Sequence, residues 1–239
     1  MPRQPRQFEI NGIYHVLHRG VEKRNIFLKP QDYSRFILGL EFCNTPRPAN
    51  LWSLIVGSDP TKFKQRLSEE RKQKHNKIVD LLAFVLMPNH FHLIFQEIVG
   101  GGISLFMKKL GGYCIYFNKQ YKRVGPLFQS RFKAIQVQDD IQLSNIFVYV
   151  HTNPVELKEP KWKDEWKVEN VTEAIEWLKG YKWSSYLDYA GEPNFPGVIH
   201  PKFFLNFFNG EKGCQNAIEE WIKFKGKTAK FGFGLATIE

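Results

Sequence analysis

Residues 81–97, LLAFVLMPNHFHLIFQE, constrain this chain more than any other stretch. Two runs of strand-forming apolar residues, 81–87 and 90–97, flank MPN, whose Pro and Asn favour a tight reversal, so the segment reads as a β-hairpin. Strand side chains alternate between faces, which sends His90 and His92 to one side and Phe91 and Leu93 to the other. Two imidazoles then converge on one spot. By itself this pair reads either as two satisfied or solvent-facing histidines on a half-buried strand, or as half of a metal site that needs a third ligand from elsewhere.

With 239 residues, of which 43% are hydrophobic and 15% aromatic, the chain can bury a sizeable core and is not a disordered segment. Its 34 Lys and Arg against 24 Asp and Glu give a formal net charge of +10, which favours a polyanionic partner. Cys43, Cys114 and Cys214 are far apart and lack Cys-x-x-Cys spacing, which argues against a disulfide framework or a structural zinc site and suits a reducing cytoplasm. No apolar stretch approaches a membrane span, and MPRQPRQFEI has no hydrophobic signal core. The expectation is a cytoplasmic, nucleoid-associated protein with no membrane partner.

The remaining elements alternate in an α+β order. Residues 8–20 read as a strand and 30–43 as a helix with Pro and Asp near its start. Residues 44–76, rich in Pro and charge, read as an insertion made of a loop and a short solvated helix. After the VGGG hinge, Ser104 is expected to cap a helix whose Leu105, Met107, Leu110, Cys114 and Phe117 form an apolar stripe. Residues 126–138 alternate like a strand, and Asp139 or Asp140 then caps a helix that Pro154 stops. On that helix Tyr149 and Asn153 are four residues apart and share a face. A hydroxyl and an amide oxygen are thus available to a metal held by His90 and His92. Each also has an ordinary reading, Tyr149 as an amphipathic core residue and Asn153 as a helix end before proline.

Taken together, these residues resemble a known family. MPNHFHLIF is similar to the histidine-hydrophobe-histidine (HUH) motif, and YVHTNPVELK to the tyrosine-helix motif, of REP-associated tyrosine transposases, relatives of the single-tyrosine insertion-sequence transposases. MPRQPRQFEINGIYHVLHRG, GGYCIYFNKQY, GPLFQSRFKA and YKWSSYLDYAG extend the resemblance over roughly residues 1–191. The 44–76 insertion and an extension from about Glu192 to Glu239 depart from the family pattern, and leave open both the choice of DNA and whether the active unit is a monomer or a homodimer.

The resemblance implies that His90, His92 and Asn153 bind a divalent ion and that Tyr149 is the catalytic nucleophile. Its phenolate would attack a scissile phosphate in single-stranded DNA, forming a 5′-phosphotyrosine link and a 3′-hydroxyl able to reverse the step. Two imidazoles favour Mn²⁺, or a site tolerant of both Mg²⁺ and Mn²⁺. For DNA binding the candidates are Arg131 and Lys133, preceded by Lys119, Lys122 and Arg123, with a second cluster at Arg19, Lys23 and Arg24. Each reads equally as a solvated surface charge. His15 and His18, three apart on a strand, fall on opposite faces and are read as non-ligands. The tail 222–234 interleaves Lys with Phe, as a strand-stacking segment or an ordinary basic tail.

The resulting expectation is an α+β, ferredoxin-like antiparallel sheet with helices on one face, comprising an HUH domain over 1–158 and a helical, basic extension over 159–239. The expected activity is metal-dependent cleavage and rejoining of single-stranded DNA at hairpin-forming repeats. A nucleic-acid-binding regulator on the same scaffold without turnover is the alternative. A metalloenzyme acting on another substrate is disfavoured by the lack of a nearby carboxylate and by the basic charge.

Overall fold

A computed structural model describes residues 6–48, 59–72, 76–162, 165 and 168–227. The first part of the chain runs β1 (Ile13–Arg19), α1 (Pro30–Phe42), α2 (Pro60–Lys72), β2 (Val79–Met87), β3 (His90–Glu97), α3 (Gly102–Leu110), α4 (Gly112–Gln120) and β4 (Lys133–Gln136). The four strands form one antiparallel sheet in the order β2-β3-β1-β4. A βαββαβ order with this strand arrangement is the ferredoxin-like topology, in the α+β class expected.

The sheet's alternation sorts its two faces. Phe91 packs on Phe36 of α1 with ring centroids 4.8 Å apart, and Phe95 packs on Phe106 of α3 at 5.0 Å. One face is therefore an aromatic core under the helices of the βαββαβ unit, where each buried ring contributes roughly 1.5–3 kcal/mol. His90 and His92 face the other way, toward α5 (Asp140–Thr152). Helices thus cover both faces, rather than one, once the tyrosine helix is included.

Four local expectations need correction. The strand expected over 8–20 starts at Ile13, because Asn11 adopts φ 64° and a turn closes from Gly12 N to Glu9 O at 2.9 Å. The strand expected over 126–138 is regular only over Lys133–Gln136, because 127–129 pair irregularly with the end of β1. Ser104 does not cap the helix after the glycines. The buried Glu97 carboxylate does so from the end of β3, accepting from Gly102 N at 2.9 Å and Ile103 N at 2.8 Å. A Cβ on Gly102 would lie 2.2 Å from Ile78 O, so the first turn of α3 can sit against β2 only with glycine there. The helix also breaks at Gly111, separating α3 from α4.

Within the 44–76 segment the solvated helix is α2, tied to α1 by Arg71 and Glu41 at 2.6 Å and 2.8 Å; residues 49–58 and 73–75 lie outside the described ones. Beyond α5, a 3₁₀ turn (Asn153–Leu157) leads to α6 (Val171–Gly180), α7 (Tyr186–Tyr189), α8 (Lys202–Phe207) and α9 (Glu211–Lys227). Residues 181–200 run along the outer edge of β2: Leu86 N donates to Trp183 O at 2.9 Å, Tyr181 Oη to Leu86 O at 2.6 Å, and His200 N to Leu81 O at 2.8 Å. The WSSY segment thereby covers a sheet edge that would otherwise invite pairing with another chain. Of the tail 222–234, residues 228–234 lie outside the described ones. No described helix is long and apolar enough to cross a membrane.

Candidate catalytic centre

The hairpin turn does more than reverse the chain. Asn89 Oδ1 lies 2.6 Å from His90 Nδ1, and Asn89 Nδ2 donates to Lys23 O at 3.1 Å, which fixes which end of the amide accepts. His90 therefore donates from Nδ1 and carries its lone pair on Nε2, the tautomer a metal ligand requires. His92 lies at 0% exposure with its ring centroid 5.0 Å from that of His90. Its Nδ1 lies 2.8 Å from Nε2 of His15, and the two rings stack 8° from parallel.

The register explains how His15 arrives there. β1 pairs with β3 so that His15 opposes Ile94 and Leu17 opposes His92, which puts His15 diagonally beside His92 on the same face. His15 and His18 do fall on opposite faces as expected, and His18 stacks on Phe128 at 4.0 Å on the other side. What the spacing could not give was the face that β1 shares with the hairpin. Burial lowers the His15 imidazole to about 3, so it is neutral, and its Nδ1 has no hydrogen-bond partner among the described residues.

The tyrosine helix forms as its sequence dictates. Asp139 caps α5 by accepting from Gln142 N at 2.7 Å, and the helix runs unbroken to Thr152 before Asn153 and Pro154 turn it. Tyr149 is half-buried, its ring edge-on to His92 at 5.3 Å and to His15 at 6.2 Å. One turn later Asn153 is 1% exposed, and both Nδ2 and Oδ1 of its amide lack a hydrogen-bond partner among the described residues. A buried polar group left so costs about 1–3 kcal/mol, and an amide carries two. Among the described residues no group of three or more His, Cys, Asp or Glu side chains is placed to hold a metal. Among the described residues a third donor for His90 and His92 is thus not one of these side chains, and the Asn153 oxygen is a buried acceptor without a hydrogen-bond partner.

Other tyrosines are engaged elsewhere. Tyr113 donates to Ile26 O at 2.6 Å, while Tyr116 and Tyr121 donate to the buried Asp32 carboxylate at 3.0 Å and 2.7 Å. Burial and then Asp32 push the Tyr116 phenol up to about 12, which disfavours its phenolate.

The basic candidates separate into groups. Arg19 opposes His90 and Lys133 opposes Leu17, so both belong to the histidine face. With Arg131 they line a polar cleft of about 240 Å³. Arg123 instead closes the loop after α4, donating to Asn118 Oδ1 at 2.8 Å and Pro126 O at 3.2 Å. Lys122 is exposed with φ 50°, Arg24 pairs with Glu22 at 3.0 Å, and Lys23 offers its carbonyl to Asn89; none of the four lines the cleft.

No curated protein matches the chain. Among solved structures, a REP-associated tyrosine transposase bound to a REP hairpin aligns at 13% identity and a TM-score of 0.48, covering 84% of this chain and 92% of that one. Residues 53–153 match the family model described as "Transposase IS200 like". The match starts inside the 44–76 segment and ends on Asn153. The matched residues hold both the histidine strand and the tyrosine helix.

Proposed function

We propose that the protein cleaves and rejoins single-stranded DNA at hairpin-forming repeats, with Tyr149 as nucleophile and His90, His92 and Asn153 as ligands of a Mg²⁺ or Mn²⁺ ion. The observation that carries this reading is the buried, unsatisfied Asn153 amide one helical turn from a half-exposed tyrosine whose ring stands edge-on to His92. When bound, the ion supplies Lewis acidity at a non-bridging phosphate oxygen.

The chain's own residues account for the rest. Tyr149 Oη gives up its proton and forms a bond to phosphorus as the bond from phosphorus to the 3′ oxygen breaks. The leaving oxygen takes up a proton to become a 3′-hydroxyl, and the 5′ phosphate stays on the tyrosine. Because the phosphodiester has been exchanged rather than hydrolysed, the same hydroxyl can reverse the step. His15 and Asn89 position the two histidine rings, and Arg19, Arg131 and Lys133 meet the strand's phosphates. Unpaired DNA is required at the scissile bond, since a phosphate in a regular duplex is hard to align in-line with a helix-borne phenol.

A hairpin oligonucleotide labelled at its 3′ end and incubated with the protein and Mn²⁺ tests this reading. Label should move into a covalent protein band, and peptide mapping should place it on Tyr149. A shifted but non-covalent complex would make the protein a binder, and an adduct on any other tyrosine would overturn the site. Equal cutting of fully paired duplex would defeat the single-strand requirement.

A further inference from the structure

The polar cleft beside the histidines adjoins a second cavity on the other face of the sheet. The cleft is lined by Leu17, Arg19 and Lys133 from the histidine face, and by His18 and Ser130, which it shares with a mainly apolar cavity of about 290 Å³. Phe91, Phe128 and Phe132 bring aromatic rings to that cavity, and Met107 and Cys114 bring sulfur. Gly125, Pro126 and Ser130 at its margin are exposed, so it opens to solvent. Cations stand at its border: the Arg6 guanidinium lies 4.2 Å from the centre of the Phe132 ring that lines the cavity, and exposed Arg131 lines the adjoining cleft. One volume of this size is at the low end for a ligand site, which suits a single flat ring system rather than a helix or a peptide.

We infer that this aromatic cavity receives one unpaired nucleobase of the bound strand, while Arg19, Arg131 and Lys133 in the adjoining cleft hold neighbouring phosphates. Stacking platforms beside a basic track are how unpaired nucleic acid is gripped, since every base offers a π face and every linkage a charge. The strand would then pass from the histidine face, around the β1–β4 side at His18 and Ser130, to the opposite face. This deepens the proposed function and rests on its single-stranded substrate.

Cys114 supplies a probe that needs no substitution in the cavity, because Cys43 and Cys214, the other two thiols, are buried. The full chain carrying Tyr149→Phe, which cannot cleave, is mixed with a hairpin bearing a short single-stranded flank. A second hairpin of equal charge has abasic residues throughout that flank. Modification of Cys114 by N-ethylmaleimide should slow with the base-bearing flank and not with the abasic one. Phe132→Leu should weaken binding of the base-bearing flank about tenfold, to the level of the abasic flank. Equal protection by both flanks, or by neither, overturns the inference. If the wild type forms its Tyr149 adduct while Cys114 stays unprotected, the cavity assignment alone fails. If base-dependent protection is seen without any adduct, the cavity stands and strand cleavage fails.

Discussion

Two buried histidines flank the tyrosine helix, and they are buried on opposite terms. His151, on α5 itself, is fully satisfied: Nδ1 donates to Phe147 O at 2.8 Å, which leaves Nε2 to accept from Ser185 Oγ at 2.8 Å, and that oxygen also receives Phe84 N at 2.9 Å. His15, edge-on to Tyr149, has its one hydrogen bond among the described residues to His92, and the Asn153 amide, one turn after Tyr149, has no hydrogen-bond partner at either end among them. Burial lowers both imidazoles to about 3, so both are neutral. Equal burial with unequal satisfaction separates two roles. A closed network of hydrogen bonds ties α5 to the WSSY segment and the edge of β2, and belongs to the fold. An open one carries a standing cost that a folded chain retains where a ligand repays it.

The comparison breaks most visibly at Tyr149. Tyr149→Phe should abolish the covalent adduct while melting temperature and single-strand affinity stay at wild-type values, as read on a denaturing gel beside a thermal melt and a binding isotherm. Tyr113→Phe, Tyr116→Phe and Tyr121→Phe should keep the adduct, since their hydroxyls serve Ile26 and Asp32.

On the open side, His15→Leu should weaken Mn²⁺ binding about 10–100-fold by titration calorimetry, the usual effect of losing the group that orients a ligating imidazole. His15→Gln keeps a hydrogen-bonding group for His92 Nδ1 and should recover most of that loss, which a merely space-filling role would not predict. Asn153→Ala should slow adduct formation and recover at high Mn²⁺, because occupancy is then limiting. In metal-free protein the same change should leave stability unchanged or raise it by about 1 kcal/mol, as it removes unsatisfied polar atoms.

The closed side should respond in the opposite sense. Ser185→Ala orphans His151 Nε2 and Phe84 N, and should cost about 1–3 kcal/mol by denaturant titration with Mn²⁺ affinity unchanged. The smallest effect concerns pH. His151 has a folded pKa of about 3 against an ordinary value near 6.5, so the unfolded chain binds the extra proton first. Its contribution is present above pH 6.5 and declines as pH falls, by about 0.7 kcal/mol between pH 7 and pH 6, and His151→Phe should flatten that part of the profile.

Much of this was legible in order along the chain. Alternation around MPN defines the hairpin and the shared face of His90 and His92, and helical spacing joins Tyr149 to Asn153, because both depend on local periodicity alone. The roles of His15 and Asn89 were not legible. His15 joins the site through the β1–β3 register, and Asn89 does so because Lys23 O fixes its amide, both being contacts between segments distant in sequence. Ser104 looked like a cap because Ser is a common one, yet the helix starts two residues earlier at Gly102, where a carboxylate from the preceding strand accepts the first N–H groups. The cover along β2 by residues 181–200 depends on pairing about a hundred residues apart, which no local pattern announces.

The central claim, that the open side of α5 is a divalent-cation site, is tested most directly by electron spin-echo envelope modulation of Mn²⁺ bound to the full chain without DNA. One bound ion with nitrogen couplings from two imidazoles, falling to one imidazole in His92→Ala and unchanged in Ser185→Ala, is the predicted result. A spectrum free of imidazole coupling, or one that His92→Ala leaves unaltered, would contradict the account.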